Sequence, residues 1–409
     1  MGRMDENGRR GPTQASRNMG ADDGPLTIAM VVDTIGNKGN GTSNSALQYA
    51  HELVRRGHRV RMVGIGAPEF PARVHDIPLG SAIAARHQVQ FARPDEALFR
   101  RAFDGADVVH VYLPFAFGRG ARRVAGEMGI PVTAGFHLQP ENVTYSAGPL
   151  RWMPGASGML YRLFRRWLYG GVRHVHAPSE MIARQLREHG YANTIHVISN
   201  GYSPRFTPQG PSQRPADAGS ALRIVASGRL SHEKDHITLI RAVAVCRHRR
   251  DIRLVICGTG PLLGGLRAEA ARLLPQGTWS IGFHDNDDMP ALLRGCDLFV
   301  HPSVVDIESL SVLEGMASGL VPVIASSDLS AAGQFALTDR SLFPARDAHT
   351  LAARIDWWYE HPAERLAWGA RYAEHTARTY SVSSCVDRFV SMEREAIADF
   401  RAGRDPEFR

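Results

Sequence analysis

The chain has 409 residues, 44% of them hydrophobic and 22% charged, with 40 Gly and 24 Pro. This length suggests roughly two or three domains, and the composition excludes a wholly disordered, collagenous or coiled-coil chain. Lys+Arg at 48 against 41 Asp+Glu gives a net charge of +7, which favours acidic partners such as nucleotides, phosphates or an anionic membrane face and says nothing about fold.

Residues 1–24 are polar, without an apolar stretch. They read as a disordered tail and not as a signal peptide. No window approaches the ~18 apolar residues needed to span a bilayer. The expected location is therefore cytoplasmic, with peripheral contact on the inner face of a membrane left open. Cys246, Cys257, Cys296 and Cys385 are far apart and form no CxxC pair, so neither a zinc ribbon nor a redox dithiol is indicated.

An N-terminal domain is expected over 25–202. The run LTIAMVV (Leu26 to Val32) reads as a buried parallel strand. A Gly/Asn-rich loop, GNKGNGT, follows, then a helix with Leu47, Ala50, Leu53 and Val54 on its apolar face and Gly57 as its C-cap. The next strand is RVRMVGI, which completes a right-handed βαβ unit. ADVVHVYL, IPVTAGF, HVHAPS and TIHVISN are further strand candidates. Residues 203–220, rich in Pro, Gly, Ser and Gln, read as a linker. The pattern then restarts over 221–381 with LRIVASG, DIRLVICG, TWSIGF, DLFVHPS and VPVIAS as strands. A last helix lies in 382–409, with a crossing back to the N-terminal domain as one option. The expected fold class is α/β: two Rossmann-like, doubly wound parallel-sheet domains facing a cleft.

Lysine usage points to chemistry. Only Lys38 and Lys234 occur, each twelve residues after the start of its domain's first strand. In open α/β sheets, ligands bind at the carboxyl ends of strands, where a Lys is a compact charge for phosphate. Arg229 stands five residues before Lys234 in SGRLSHEK, and two such cations suit a diphosphate. The segment from His301 to Ser326, HPSVVDIESLSVLEGMASGLVPVIAS, brings Asp306, Glu308 and Glu314 to a strand end and a helix start. Backbone N–H groups of Leu310, Ser311 and Val312 there would make an anion site. Carboxylates beside an anion fit hydroxyl recognition on a sugar and a ribose. A simple N-cap explains Asp306 or Glu308 equally well, but not Glu314 inside the helix.

These residues resemble glycosyltransferase family 4. The carboxylate, seven residues, Glu, then GMASGLVPVIA is similar to that family's donor-site signature, as are SGRLSHEK and the opening Gly-rich loop. The resemblance implies a retaining GT-B enzyme that moves a hexose from a UDP- or GDP-linked sugar to a hydroxyl acceptor on a membrane glycolipid or polysaccharide. It implies no metal and no cofactor beyond the nucleotide sugar. Gly228, Arg229 and Lys234 would hold the diphosphate and Glu314 the ribose. Asp306 or Glu308 would meet the donor sugar: Asp306 stands where the family usually has Glu, Glu308 where Phe is common, and Ser309 where Gly is common. Gly39, Asn40 and Gly41 would approach the phosphates and the acceptor. His137, in GFHLQPENVTY, would lie near the donor sugar, with Gln139, Glu141 and Asn142 next to it as acceptor-binding candidates. Phe283 and His284 would border the nucleobase.

CGTGPLLGG (Cys257 to Gly265) follows a strand, as a dinucleotide fingerprint would. Its third Gly is one residue late, however, and no acid stands at the next strand's end. A non-catalytic two-lobed binding protein would share the fold but does not require two phosphate-binding cations. Nucleic acid is not an expected partner, because the Arg residues are scattered. The helix GMLYRLFRRWLYGG sets Leu160, Leu163, Phe164, Trp167 and Leu168 opposite Arg162, Arg165 and Arg166, a pattern for packing on the sheet or lying on a membrane surface.

Overall fold

The computed structural model describes residues 24–36, 41–76, 90–146, 153, 155–208 and 221–404. Residues 1–23 of the expected 1–24 tail, the positions of Lys38, Gly39 and Asn40, and 209–220 of the expected linker lie outside them.

Two sheets organise the chain. The first holds β1 (Thr27–Thr34), β2 (Arg59–Ile65), β3 (Phe70–Pro71), β4 (Val108–Val111), β5 (Val132–Gly135), β6 (His174–Ala177) and β7 (Thr194–Val197), in the order β3-β2-β1-β4-β5-β6-β7. The second holds β8 (Leu222–Ser227), β9 (Ile252–Cys257), β10 (Trp279–Gly282), β11 (Leu298–His301), β12 (Val321–Ser326) and β13 (Leu342–Pro344), in the order β10-β9-β8-β11-β12-β13. Every pairing within both sheets is parallel. Each sheet reverses its strand order once, between β1 and β4 and between β8 and β11. A crevice opens at the carboxyl ends of such a pair.

The central strands are mostly apolar because both faces are covered. Along β1, Ala29 and Val31 enter one core while Ile28, Met30 and Val32 enter the core on the other face, the two-residue period of a pleated strand. The Gly41–Arg55 helix buries Ala46, Tyr49, Ala50 and Leu53. This differs from the expected face: Leu47 is half-buried and Val54 is 57% exposed. The spacing from Ala46 to Leu53 already fills one helical stripe. Tyr49 belongs to that stripe because its hydroxyl donates to the Ser199 carbonyl at 2.5 Å.

The start of the expected linker is packed, not free. Phe206 is 2% exposed and, with Tyr202, belongs to the second domain's core, because an aromatic side chain gains about 2 kcal/mol or more by leaving water. Tyr202 also meets the other chain crossing, with its N–H on the Tyr380 carbonyl and its carbonyl accepting from Val382. Gly201, at φ +69°, allows this approach, since a Cβ there would lie 2.9 Å from Val382 Cα. Beyond that crossing the Val382–Arg401 helix returns to the first domain. Val382, Cys385, Val386, Phe389, Met392 and Ile397 complete the core around Ile28, Met30, Tyr49 and Leu53. The four cysteines are unpaired thiols.

In the Ala156–Trp167 helix, Tyr161 and Phe164 are buried while Arg162, Arg165 and Arg166 are exposed. Its apolar stripe therefore packs on the body of the domain. Among the described residues no helix is long and apolar enough to cross a membrane.

Candidate active site

The second domain's switch point brings two loops together. One follows β8 and carries Gly228, Arg229 and Lys234; the other follows β11 and runs through Asp306 to Ser309. The Glu233 carbonyl joins them by accepting from Val304 N at 2.8 Å and Ser303 Oγ at 3.2 Å. The Gly-Thr-Gly turn after β9 supports the first loop from below, with Leu230 N donating to Thr259 O at 2.9 Å. Side chains could not fit there: a Cβ on Gly258 would lie 1.9 Å from the Gly228 carbonyl oxygen, and one on Gly260 2.4 Å from that of Leu230. These glycines, which on sequence alone suggested a dinucleotide turn, serve the close stacking of two loops.

At the junction Lys234 Nζ lies 2.5 Å from Asp306 Oδ2. Ser309 Oγ donates to the same oxygen at 2.8 Å, and His301 Nε2 is 3.1 Å from it. Burial opposes the charge on Asp306, but the Lys234 ammonium and the His301 contact outweigh it and hold the carboxyl well below its usual range. Burial pushes the neighbouring His301 and His236 imidazoles down, His236 to about 3. The loop junction thus carries a cation–anion pair beside imidazoles that burial holds toward the neutral form. Sequence reasoning missed His301, although its place at a strand's carboxyl end was the available signal.

The backbone of Ser309 adopts φ +87°, a conformation that favours Gly. The strain is retained alongside the hydroxyl's contacts with Asp306 and with His301 Nε2, the latter at 2.8 Å. Ser309→Ala keeps the strain and loses the hydrogen bonds, so chemical denaturation should show a loss of about 1–2 kcal/mol. Ser309→Gly relieves about 1 kcal/mol of strain and should come out closer to the parent; a larger loss for Gly than for Ala would contradict this account.

The other predicted residues fall in several places. Arg229 is half-buried, and burial lowers its pKa. Glu314 is half-buried in the Leu310–Ala317 helix, and burial raises its pKa to about 7 against the pull of Arg205. Leu310 and Ser311 begin that helix. The Val312 N–H, expected to point out at an anion, instead donates to the Ser309 carbonyl at 3.1 Å, because the first turn closes on itself. Phe283 is 69% exposed after β10, and His284 Nδ1 lies 3.3 Å from the Gly282 carbonyl. Gly41 begins the first helix, and Gly39 and Asn40 are outside the described residues.

Glu308 is not beside Lys234. Its carboxylate accepts from Asn200 N at 3.0 and 3.1 Å and from Asn200 Nδ2 at 2.6 Å. It is 1% exposed, and burial raises its pKa to about 7. Asn200 ends the first domain, so Glu308 joins the two domains. Two further contacts cross with it: Ser179 Oγ donates to Ile307 O at 2.8 Å, and Gln139 Nε2 to Leu329 O at 3.4 Å. Gln139 is therefore a buried bridge, while Glu141 accepts from Tyr161 Oη at 3.2 Å. His137 stands just past β5 in the first domain, stacked on Tyr112 at 4.9 Å.

Two parallel α/β domains, each with a switch point and the second with a cation–carboxylate pair on its loops, are a GT-B architecture. The sequence profile described as Glycosyltransferase Family 4 matches residues 39–206, and that of Glycosyl transferases group 1 matches residues 213–375. The chain belongs to a GT-B glycosyltransferase family, whose members use nucleotide sugars.

A GDP-mannose-dependent alpha-mannosyltransferase of Corynebacterium glutamicum is 26% identical over 73% of this chain and 72% of that protein. Its Mycolicibacterium smegmatis namesake is 28% identical over 73% and 79%. The alpha-monoglucosyldiacylglycerol synthase of Streptococcus pneumoniae is 25% identical over 73% and 71%. Among solved structures, Anabaena HepE in complex with UDP and glucose shares the fold with a TM-score of 0.68 at 14% identity, covering 90% of this chain and 100% of that one.

Proposed function

We propose that the chain transfers a hexose from a nucleotide-diphosphate sugar, GDP-mannose foremost, to a hydroxyl of a membrane glycolipid, with retention at the anomeric carbon. The observation that carries this reading is the Lys234–Asp306 pair at the second domain's switch point. Lys234 and Arg229 neutralise the diphosphate, whose charge grows as the glycosyl bond breaks. Preorganised cations and the N–H groups of Leu310 and Ser311 act on that charge without reorganising. The contacts to the Asp306 side chain converge on Oδ2, so Oδ1 is assigned to a donor-sugar hydroxyl. Glu314 takes the ribose, Gly228 lets the phosphates approach, and Phe283 and His284 border the base. Glu308, with both oxygens on Asn200, is assigned to domain positioning rather than to the sugar. No protein nucleophile is assigned. Contact between the domains excludes water from the transfer.

The donor assignment draws on relatives named as GDP-mannose-dependent, and the lipid acceptor on one named for a glucosyldiacylglycerol product. Calorimetry with GDP-mannose and UDP-glucose, then turnover on glycolipid vesicles with the product's anomeric configuration read by NMR, tests both. Arg229→Ala should lower kcat/KM by about a hundredfold. An inverted product, or unchanged turnover in that variant, would overturn the reading.

A further inference from the structure

We propose that His110, His137 and His176 form a binding site for one divalent transition-metal ion. Neighbouring strands supply the three: His110 lies on β4, His137 two residues past β5, and His176 on β6. One ring nitrogen from each lies within 4.8 Å of the others. The three rings converge from different directions, with His137 edge-on to His176 at 5.1 Å between centroids.

The hydrogen bonds fix which nitrogens face inward. His110 Nδ1 is 3.1 Å from Glu393 Oε1, and His176 Nε2 is 2.6 Å from the Ile198 carbonyl oxygen. A carboxylate and a carbonyl only accept, and Thr133 Oγ1, 2.8 Å from His110 Nδ1, spends its hydrogen on Glu393 and accepts as well, so these two nitrogens carry the hydrogens. His110 Nε2 and His176 Nδ1 are then bare lone pairs. Among the described residues both are buried without a hydrogen-bond partner, and so is His137 Nε2; His110 and His176 are 0% and 2% exposed. Buried acceptors without donors are costly, and a cation satisfies all three at once.

Two features look built for this. Metal-binding histidines usually donate their second N–H to a carboxylate or a backbone carbonyl, which sets the tautomer and aims the ring. Glu393 and Ile198 stand in those places, and Thr133 Oγ1 donates to Glu393 at 2.9 Å. Gly135 keeps room beside the ring atoms, since a Cβ there would lie 2.2 Å from His137 Nε2 and 3.3 Å from His110 Nε2.

Three imidazoles without thiolate or carboxylate ligands suit zinc, cobalt, nickel or copper rather than magnesium or calcium. They leave a fourth coordination position open. His137 is half-buried and gives the route in. Because Glu393 comes from the Val382–Arg401 helix, an ion here would tie that helix to the sheet through His110.

The test uses the tag-free full chain, stripped with chelator. Zinc is titrated by calorimetry, and cobalt is followed by its visible absorption. The expected result is one ion per chain with sub-micromolar affinity, and a rise in Tm of about 5 °C at a hundredfold excess of zinc over Kd. His137→Ala and His176→Gln should each weaken binding by at least about a hundredfold with the circular dichroism unchanged. His196→Ala should leave it intact; His196 belongs to a second group, with His174 and Glu395, whose ligand atoms also converge. If His176→Gln does not fold, His137→Ala at the half-buried position decides. Binding no tighter than about 10 μM in the parent chain, full binding in folded His137→Ala, or loss of binding in His196→Ala would each overturn the proposal.

Discussion

Lys234→Ala should lower kcat/KM by about 10³-fold and destabilise the folded chain by about 3 kcal/mol. Two separate causes produce these effects. The catalytic loss comes from removing a positive charge next to the departing diphosphate. The stability loss comes from Asp306, which is 7% exposed and owes its low pKa to Lys234 first among its partners. Without that partner its buried charge keeps, among the described residues, the contacts of His301 and Ser309. Adding Asp306→Asn to Lys234→Ala removes the stranded charge, so urea unfolding should show most of the stability restored while transfer stays lost. Turnover within tenfold of the parent in Lys234→Ala would remove the cation from the mechanism. Stability that falls further in the double variant would remove the ion pair from the account of folding.

Glu308→Gln should change the pH dependence of stability. The folded-state pKa of Glu308 is about 7, above its ordinary 4.5. Below pH 4.5 the group is protonated folded or unfolded and contributes nothing to the difference. As pH rises from 4.5 through 7 the folded chain holds a proton that the unfolded chain has lost, so stability falls. Above pH 7 the full cost of the buried charge, about 3 kcal/mol, is present. Gln keeps an acceptor for Asn200 and carries no charge. At pH 8 the variant should be the more stable by about 2–3 kcal/mol, and at pH 4 the two should nearly coincide apart from one weakened hydrogen bond. Asp33 and Glu314 are also raised to about 7 by burial, so both proteins will slope in this window and the difference between them is the readout. Parallel profiles from pH 4 to 8 would show that Glu308 is not the buried acid described.

Strands β1, β2 and β4 through β12 were legible in the sequence because each is a short run rich in apolar residues, which local composition marks, whereas β3 and β13, of two and three residues, were not. Lys234 and Asp306 were legible as candidates because both follow strand ends. Their direct pairing was not, since it joins residues 72 apart. Glu308 shows the limit more sharply. By motif position it was as good a sugar reader as Asp306, and its actual partner, Asn200, lies 108 residues away in the other domain. The helix face that includes Tyr49 was misread for a related reason: tyrosine is apolar in its ring and polar at its tip, and only the distant Ser199 carbonyl makes its burial favourable. In the same way Phe206, set among prolines and polar residues, carried the composition of a linker while belonging to a core.

The returning Val382–Arg401 helix has a consequence for biosynthesis. While the chain emerges from the ribosome, the first domain can form its sheet but not the apolar layer that this helix seals. Ile28, Met30 and Leu53 stay incompletely covered until the whole second domain has been translated. A domain finished by a distant segment is open to aggregation during that interval, so the nascent half-enzyme is a natural client for a chaperone.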